Sequence, residues 1–175
     1  MKNIVLFGFM GSGKSSIGRM LAERLGMFFI EMDEILEEEH HKTINDLFKK
    51  YGEAYFRRLE KELVKRISKR DSCVISTGGG VVLDEENVKL LRENGILISL
   101  MASEEVIYER VKDDKSRPLL KTIDLPKKIK EILVHRKPSY EKAGYCIDTS
   151  DKSKEEVVEE IINYINIVVI NENLT

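Results

Sequence analysis

Residues 8–15 read Gly-Phe-Met-Gly-Ser-Gly-Lys-Ser. The spacing is G-x-x-x-x-G-K-[ST], and its chemistry is phosphate binding. Glycines let successive backbone N–H groups turn inward around phosphate oxygens. A helix that opens at Lys14 and Ser15 adds the positive end of its dipole. Lys14 is long enough to reach the β- and γ-phosphates of a nucleotide, and the Ser15 hydroxyl suits Mg²⁺. The alternative, a chance glycine turn, is disfavoured because an apolar strand pattern precedes the loop and a helical pattern follows it.

Two carboxylates, Glu31 and Asp33, follow the second short apolar run. One could orient a metal-bound water while the other accepts a proton from a substrate hydroxyl. They could equally open a solvated acidic helix, since Glu34 and Glu37 to Glu39 come next. On spacing alone both readings stand. After the third apolar run come Gly78, Gly79 and Gly80 with no acid among them. A motor or GTPase usually ends a strand with a metal-binding Asp, so neither is favoured. Three glycines mean a close approach to the backbone or a positive φ, unless the loop is merely loose. Arg57, Arg117 and Arg136 are isolated arginines, each taken singly a surface residue. An anionic substrate bound beside ATP would use several such guanidinium forks.

The elements that must position these groups follow from apolar periodicity. Continuous apolar runs at 3–7, 27–30, 73–77, 96–101 and 145–148 read as strands. Helical patterns occupy 15–25, 43–51 continuing through 53–69, 84–93, 103–112, 129–136 and 154–165. Thr43 with Asp46, and Ser103, look like helix starts. The polar, proline-marked stretch 113–126 reads as a loop. Strands apolar throughout, alternating with helices, predict a parallel sheet covered on both faces. Ligands then bind beyond the carboxyl ends of the strands, so whatever follows each strand shares one rim.

Composition bounds the function class. The chain has 175 residues and 20.2 kDa, one domain's length, without repeats or linkers. Such a chain buries roughly 70% of its unfolded surface. Lys and Arg number 29 against 31 Asp and Glu, which argues against a nucleic-acid partner. Cys73 and Cys146 lie in apolar runs and read as two reduced core thiols. His40, His41 and His135 are too scattered for a metal site and read as surface residues. Neither end carries an apolar stretch of the roughly 20 residues a membrane span needs. The expectation is a soluble, cytoplasmic protein with no membrane or nucleic-acid partner.

Taken in order, the pieces resemble a family. The phosphate loop, the carboxylates after strand two, Phe56-Arg57-x-x-Glu60, the triple glycine, Arg117-Pro-Leu-Leu120 and Arg136-x-Pro138-x-Tyr140 together look like shikimate kinase. The similarity runs from about residue 3 to 148. It implies an α/β fold with three layers, a P-loop kinase with a five-stranded parallel sheet of order 2-3-1-4-5 flanked by helices. It implies one domain over 1–175, with a substrate-binding helical segment at about 32–69 and a lid at about 113–126. The implied reaction is ATP-dependent phosphorylation of the shikimate 3-hydroxyl, in chorismate and aromatic amino-acid biosynthesis, by a monomer.

Position by position, the resemblance gives Gly11, Ser12, Gly13, Lys14, Ser15, Ser16, Arg110 and Arg117 to ATP, with Arg110 stacked on adenine and Arg117 reaching the phosphates. It gives Asp33, Arg57, Gly79, Gly80 and Arg136 to shikimate, the two arginines gripping its carboxylate. Lys14, Asp33 and Arg117 would be catalytic, with Asp33 as base. Ser15 would ligate one Mg²⁺ directly and Glu31 through water. Two departures stand out: Glu31 replaces the family's usual Asp, and residues 148–152 lack its N-R-x-P-like adenine loop. The tail after Ile165 has no counterpart. The rivals are a gluconate-type sugar-acid kinase, which would not predict the triple glycine or F-R-x-x-E, and a non-catalytic nucleotide- and shikimate-binding regulatory module.

Overall fold

A computed structural model describes residues 1–114, 118–120 and 122–172. Five strands, β1 (Asn3–Gly8), β2 (Phe28–Glu31), β3 (Cys73–Ser76), β4 (Gly95–Met101) and β5 (Tyr145–Asp148), form one sheet of order β2-β3-β1-β4-β5. All four pairings are parallel. The helices are α1 (Lys14–Leu25), α2 (Met32–His40), α3 (Ile44–Ile67), α4 (Glu85–Glu93), α5 (Glu104–Val111), α6 (Leu125–Ala143) and α7 (Lys154–Glu172). Short 3₁₀ turns occupy Val81–Leu83 and Pro118–Leu120.

Side chains alternate across a strand, and β1 shows why both faces had to be apolar. Ile4 and Leu6 pack with Ile17 and Leu21 of α1 and with Val157, Val158 and Ile161 of α7. Val5 and Phe7 point the other way, into a cluster with Leu63 and Val64 of α3, Leu91 of α4, Ile107 of α5 and Ile129 and Tyr140 of α6. Each fully buried aliphatic side chain contributes about 1.5–3 kcal/mol. The sheet is therefore held as the middle of three layers, and its carboxyl edge is fixed as a rim.

Several expectations need correction, beginning with α2, a helix over Met32–His40 where none was expected among the helical patterns. α6 starts at Leu125 and runs to Ala143, well beyond the expected 129–136. Asp124 caps it by accepting from the Lys127 amide at 3.1 Å, and Pro126 sits in its first turn, where a missing N–H costs nothing. Pro138 lies inside it. An interior proline costs about 3 kcal/mol, but Arg136, Tyr140 and Ala143 are buried around it and keep the helix going. α7 likewise continues past Ile165 to Glu172. Cys73 is buried, whereas Cys146 is exposed, because β5 is an edge strand on which only Ile147 faces the core. His41 and His135 are exposed as expected, but His40 is half-buried.

α3 is not one straight helix. Gly52 has φ 79° and ψ 170°, a non-helical bend between the 44–51 turns and the long anchored segment carrying Leu63, Val64 and Ile67. Thr43 caps the first part as its spacing predicts, accepting from the Asp46 amide at 3.1 Å. Among the described residues no helix is long and apolar enough to cross a membrane.

Candidate active site

The loop between β1 and α1 has the backbone that only glycine adopts readily. Gly8, Gly11 and Gly13 all have positive φ, and Gly13 caps α1 in the left-handed conformation without any side-chain cap. The amides of the first turn are thus turned toward the loop. Lys14 folds back over it, donating from Nζ to the Gly8 carbonyl at 2.9 Å and the Phe9 carbonyl at 3.0 Å. Ser15 and Ser16 are exposed at the helix start. Ser12 is fully buried, and its Oγ has no hydrogen-bond partner.

β2 ends beside β3, with Glu31 opposite Ser76. This register brings the two predicted carboxylates to the loop. Glu31 stands at the N-cap of α2 but makes no capping bond. It is 9% exposed instead, with Oε2 buried and unpartnered, and Ser76 Oγ is also buried without a partner. Burial raises the Glu31 carboxyl above its ordinary range; the Ser15 hydroxyl opposes the rise, and the Asp33 charge adds to it. The solvated-acid reading therefore fails for Glu31, although Glu34, Glu38 and Glu39 are exposed as it expected. Asp33, in the first turn of α2, lines the same cavity.

Another part of the cavity is built around the triple glycine. None of the three has positive φ, so close approach is the operative constraint. A Cβ at Gly80 would collide with the Arg57 guanidinium, and one at Gly78 with Glu60 Oε1. Gly79 has room, its nearest neighbour 3.5 Å away. Its carbonyl does the work, accepting from Arg136 Nη1 at 3.1 Å and from the Tyr140 hydroxyl at 2.6 Å. Arg136 is 5% exposed, so the surface-arginine reading is wrong for it. Arg57 is held by Glu60 at 2.5 Å and Glu53 at 2.8 Å. Burial would lower the Arg57 pKa, but these carboxylates more than offset it and leave it raised.

The phosphate loop, Glu31, Asp33, Arg57, Glu60, Gly78 to Gly80 and Arg136 enclose one cavity of about 210 Å³. A second, of about 330 Å³, lies on the other side of the loop, lined by Gly11, Gly13, Arg110, Thr149, Lys152 and Ser153. Arg110 is tied across it, donating to the Gly11 carbonyl at 3.0 Å and the Thr149 carbonyl at 3.1 Å. Arg117 lies outside the described residues, as do 115, 116 and 121 of the expected lid.

Three further residues, Glu60, Tyr140 and Thr149, take part in this site beyond those the sequence points to. Glu60 and Tyr140 stood in quoted motifs, and their spacing from Arg57 (three) and Arg136 (four) was the available signal, since such residues share a helix face. Thr149, buried beneath Arg110, gave no signal, because its role depends on where β5 meets the loop.

Known proteins resemble this chain in sequence and fold. The family model described as Shikimate kinase matches residues 10–166. The shikimate kinase of Thermodesulfovibrio yellowstonii is 49% identical over 162 residues, 93% of this chain and 94% of that protein. The structure of shikimate kinase from Acinetobacter baumannii in complex with shikimate superposes with a TM-score of 0.91 at 34% identity, covering 94% of this chain and 93% of that one. A gluconokinase from Sinorhizobium meliloti, with 22% identity and a TM-score of 0.65, shares the fold. The match over most of its length shows that the chain belongs to the shikimate kinase family.

Proposed function

We propose that this protein transfers the γ-phosphoryl group of ATP to the 3-hydroxyl of shikimate, yielding shikimate 3-phosphate and ADP in chorismate and aromatic amino-acid biosynthesis. The observation that carries this reading is a single cavity lined together by the phosphate loop, Asp33, Arg57 and Arg136. Two guanidinium groups suit a carboxylate, and a carboxyl near the phosphate loop suits a hydroxyl that must lose its proton. The ATP phosphates lie along residues 11–16, with adenine in the second cavity beside Arg110, where Lys152 and Ser153 supply the wall. In this reading the segment 113–126 is the lid, Arg117 meets the phosphates, and residues 32–69 are the substrate-binding part of a single kinase domain. A cytoplasmic location fits two free thiols.

The test is ADP release by purified protein with ATP and Mg²⁺, with shikimate, with gluconate and with neither. Shikimate-dependent release is expected. Release that follows gluconate, or binding of shikimate without release, would favour one of the rivals.

The metal side fits Mg²⁺. Mg²⁺ keeps several waters and touches protein through few groups. The exposed Ser15 hydroxyl and the unpartnered Glu31 Oε2 are donors of the right kind. When bound, the ion would neutralise charge on the phosphates; Ser15 would touch it and Glu31 would hold one of its waters. Glu31→Asp is therefore expected to change turnover little. Glu31→Ala should raise the Mg²⁺ requirement and cost about 10–100-fold in metal affinity or activity. A Mg²⁺ titration with unchanged half-saturation and rate for Glu31→Ala would remove Glu31 from the site.

Arg57→Lys and Arg136→Lys should each raise KM for shikimate about tenfold or more, and KM for ATP much less. A lysine cannot supply two parallel donors to a carboxylate, and each charge-assisted bond is worth about 1.5–3 kcal/mol. Steady-state kinetics with each substrate varied in turn checks this. A defect on the ATP side alone would place these arginines at the nucleotide.

A further inference from the structure

Glu60 is a buried carboxyl to which the phosphoryl-transfer reading gives no task. It is 2% exposed, one turn beyond Arg57 on α3. Its Oε2 accepts from Arg57, while Oε1 is buried and has no hydrogen-bond partner. Oε1 is the atom that a Cβ at Gly78 would strike, and Asp33 Oδ1 is 3.3 Å from the same point. The orphan oxygen therefore lies in the wall of the substrate cavity, which Glu60 lines.

The charged and titratable groups facing it come from three helices. Arg57 and, through it, Glu53 stand on its own helix; Asp33 comes from α2; Arg136 and Tyr140 come from α6. Tyr140, pushed up to about 12 by burial, stays neutral near physiological pH. Burial raises Glu60 to about 7, with Arg57 and Arg136 pulling it down and Asp33 pushing it up. The cluster already holds more carboxyls than arginines: Glu53, Glu60 and Asp33 stand against Arg57 and Arg136.

The next step rests on the reading that the substrate carboxylate docks on Arg57 and Arg136. That carboxylate is a further anion for the same two cations. It takes a share of the guanidinium donors that hold Glu60 ionised and adds a like charge nearby, and both effects favour the protonated form. We infer that docking of the substrate carboxylate is coupled to uptake of one proton by Glu60 on the unpartnered Oε1, which makes Glu60 the residue that matches the clamp's charge to an anionic substrate. The proton comes from solvent, an O–H bond forms on Oε1, and no bond in the substrate changes. Arg57 keeps its contact with Oε2 and is left with donors for the ligand.

The sign of the pH dependence follows. A group whose pKa is higher in the complex than in the free protein strengthens binding at low pH, and that gain is lost as pH rises through the pKa of the complex. Uptake of a fraction of a proton is expected near neutral pH, and affinity should weaken several-fold as pH rises from the acid to the alkaline side of neutrality.

The experiment is calorimetric titration of shikimate into the full-length protein without nucleotide, near pH 7.5, in HEPES and in Tris, whose ionisation enthalpies differ. A binding heat that differs between the buffers in the direction of proton uptake is expected. Glu60→Gln should show neither the buffer difference nor the pH slope. Equal heats in the two buffers for the wild type, or an unchanged proton uptake in Glu60→Gln, overturns the proposal and leaves the substrate assignment standing. No binding heat under any condition overturns the substrate assignment and the proposal with it. The wild-type comparison decides the matter even if the variant does not fold.

Discussion

Lys14→Ala is expected to abolish phosphoryl transfer while leaving the fold intact. In this chemistry nearly all the catalysis is positioning and charge stabilisation, so removing the phosphate-loop cation leaves charge on the transferred group unmatched. The fold should survive because Lys14 belongs to neither apolar cluster. Its partners, the Gly8 and Phe9 carbonyls, lie in the loop at the rim of the cavity, where water can replace the ammonium. ADP release together with a thermal melt checks both halves. A variant that melts normally and turns over near the wild-type rate would remove Lys14 from the reaction.

Asp33→Asn should retain ATP binding and lose about 10²–10⁴-fold in kcat, the usual contribution of a general base. The amide can still hydrogen-bond a ring hydroxyl but cannot take its proton. The KM for shikimate should therefore move less than kcat. If KM alone rises, Asp33 holds the substrate and another group accepts the proton. A high kcat with unchanged KM would exclude Asp33 from both roles.

The features legible in the sequence were those set by local rules. The phosphate loop is such a case: glycine spacing dictates the backbone, and strand and helix flank it because their periodicities are strong. The strand order could be read only through the family resemblance, and the structure has the same order. What stayed hidden depended on contacts distant in sequence. Nothing local distinguishes Arg136 from a surface arginine until Gly79, 57 residues away, offers its carbonyl. The unpartnered oxygen of Glu60 lies against Gly78, which is distant in sequence. Cys146 looked like a core residue because its neighbours are apolar, and only the place of β5 at the sheet edge exposes it. The extension of α6 was missed because Pro126 and Pro138 read as stops, one being a permitted start and the other overridden by burial.

The bend at Gly52 bears on how this enzyme could be made more heat-resistant. Replacing a glycine within a helix by alanine is a common stabilising step, worth about 0.4–1 kcal/mol where the backbone is compatible. Here a methyl group would meet nothing within 4 Å, so inspection for steric room would approve the change. The obstacle is the dihedral pair, φ 79° and ψ 170°, which an L-residue tolerates poorly. Alanine would drive the chain toward a continuous helix and swing Ile44 and Phe48 out of the cavity wall they help to form. Gly80 poses the opposite problem, with an ordinary φ of −105° but no space beside Arg57. Thermostabilisation by helix filling would thus have to treat both glycines as fixed, for different reasons, and find its gains elsewhere. The exposed stretch of α7 carrying Ile167, Val169 and Ile170, remote from both cavities, is the natural ground for it.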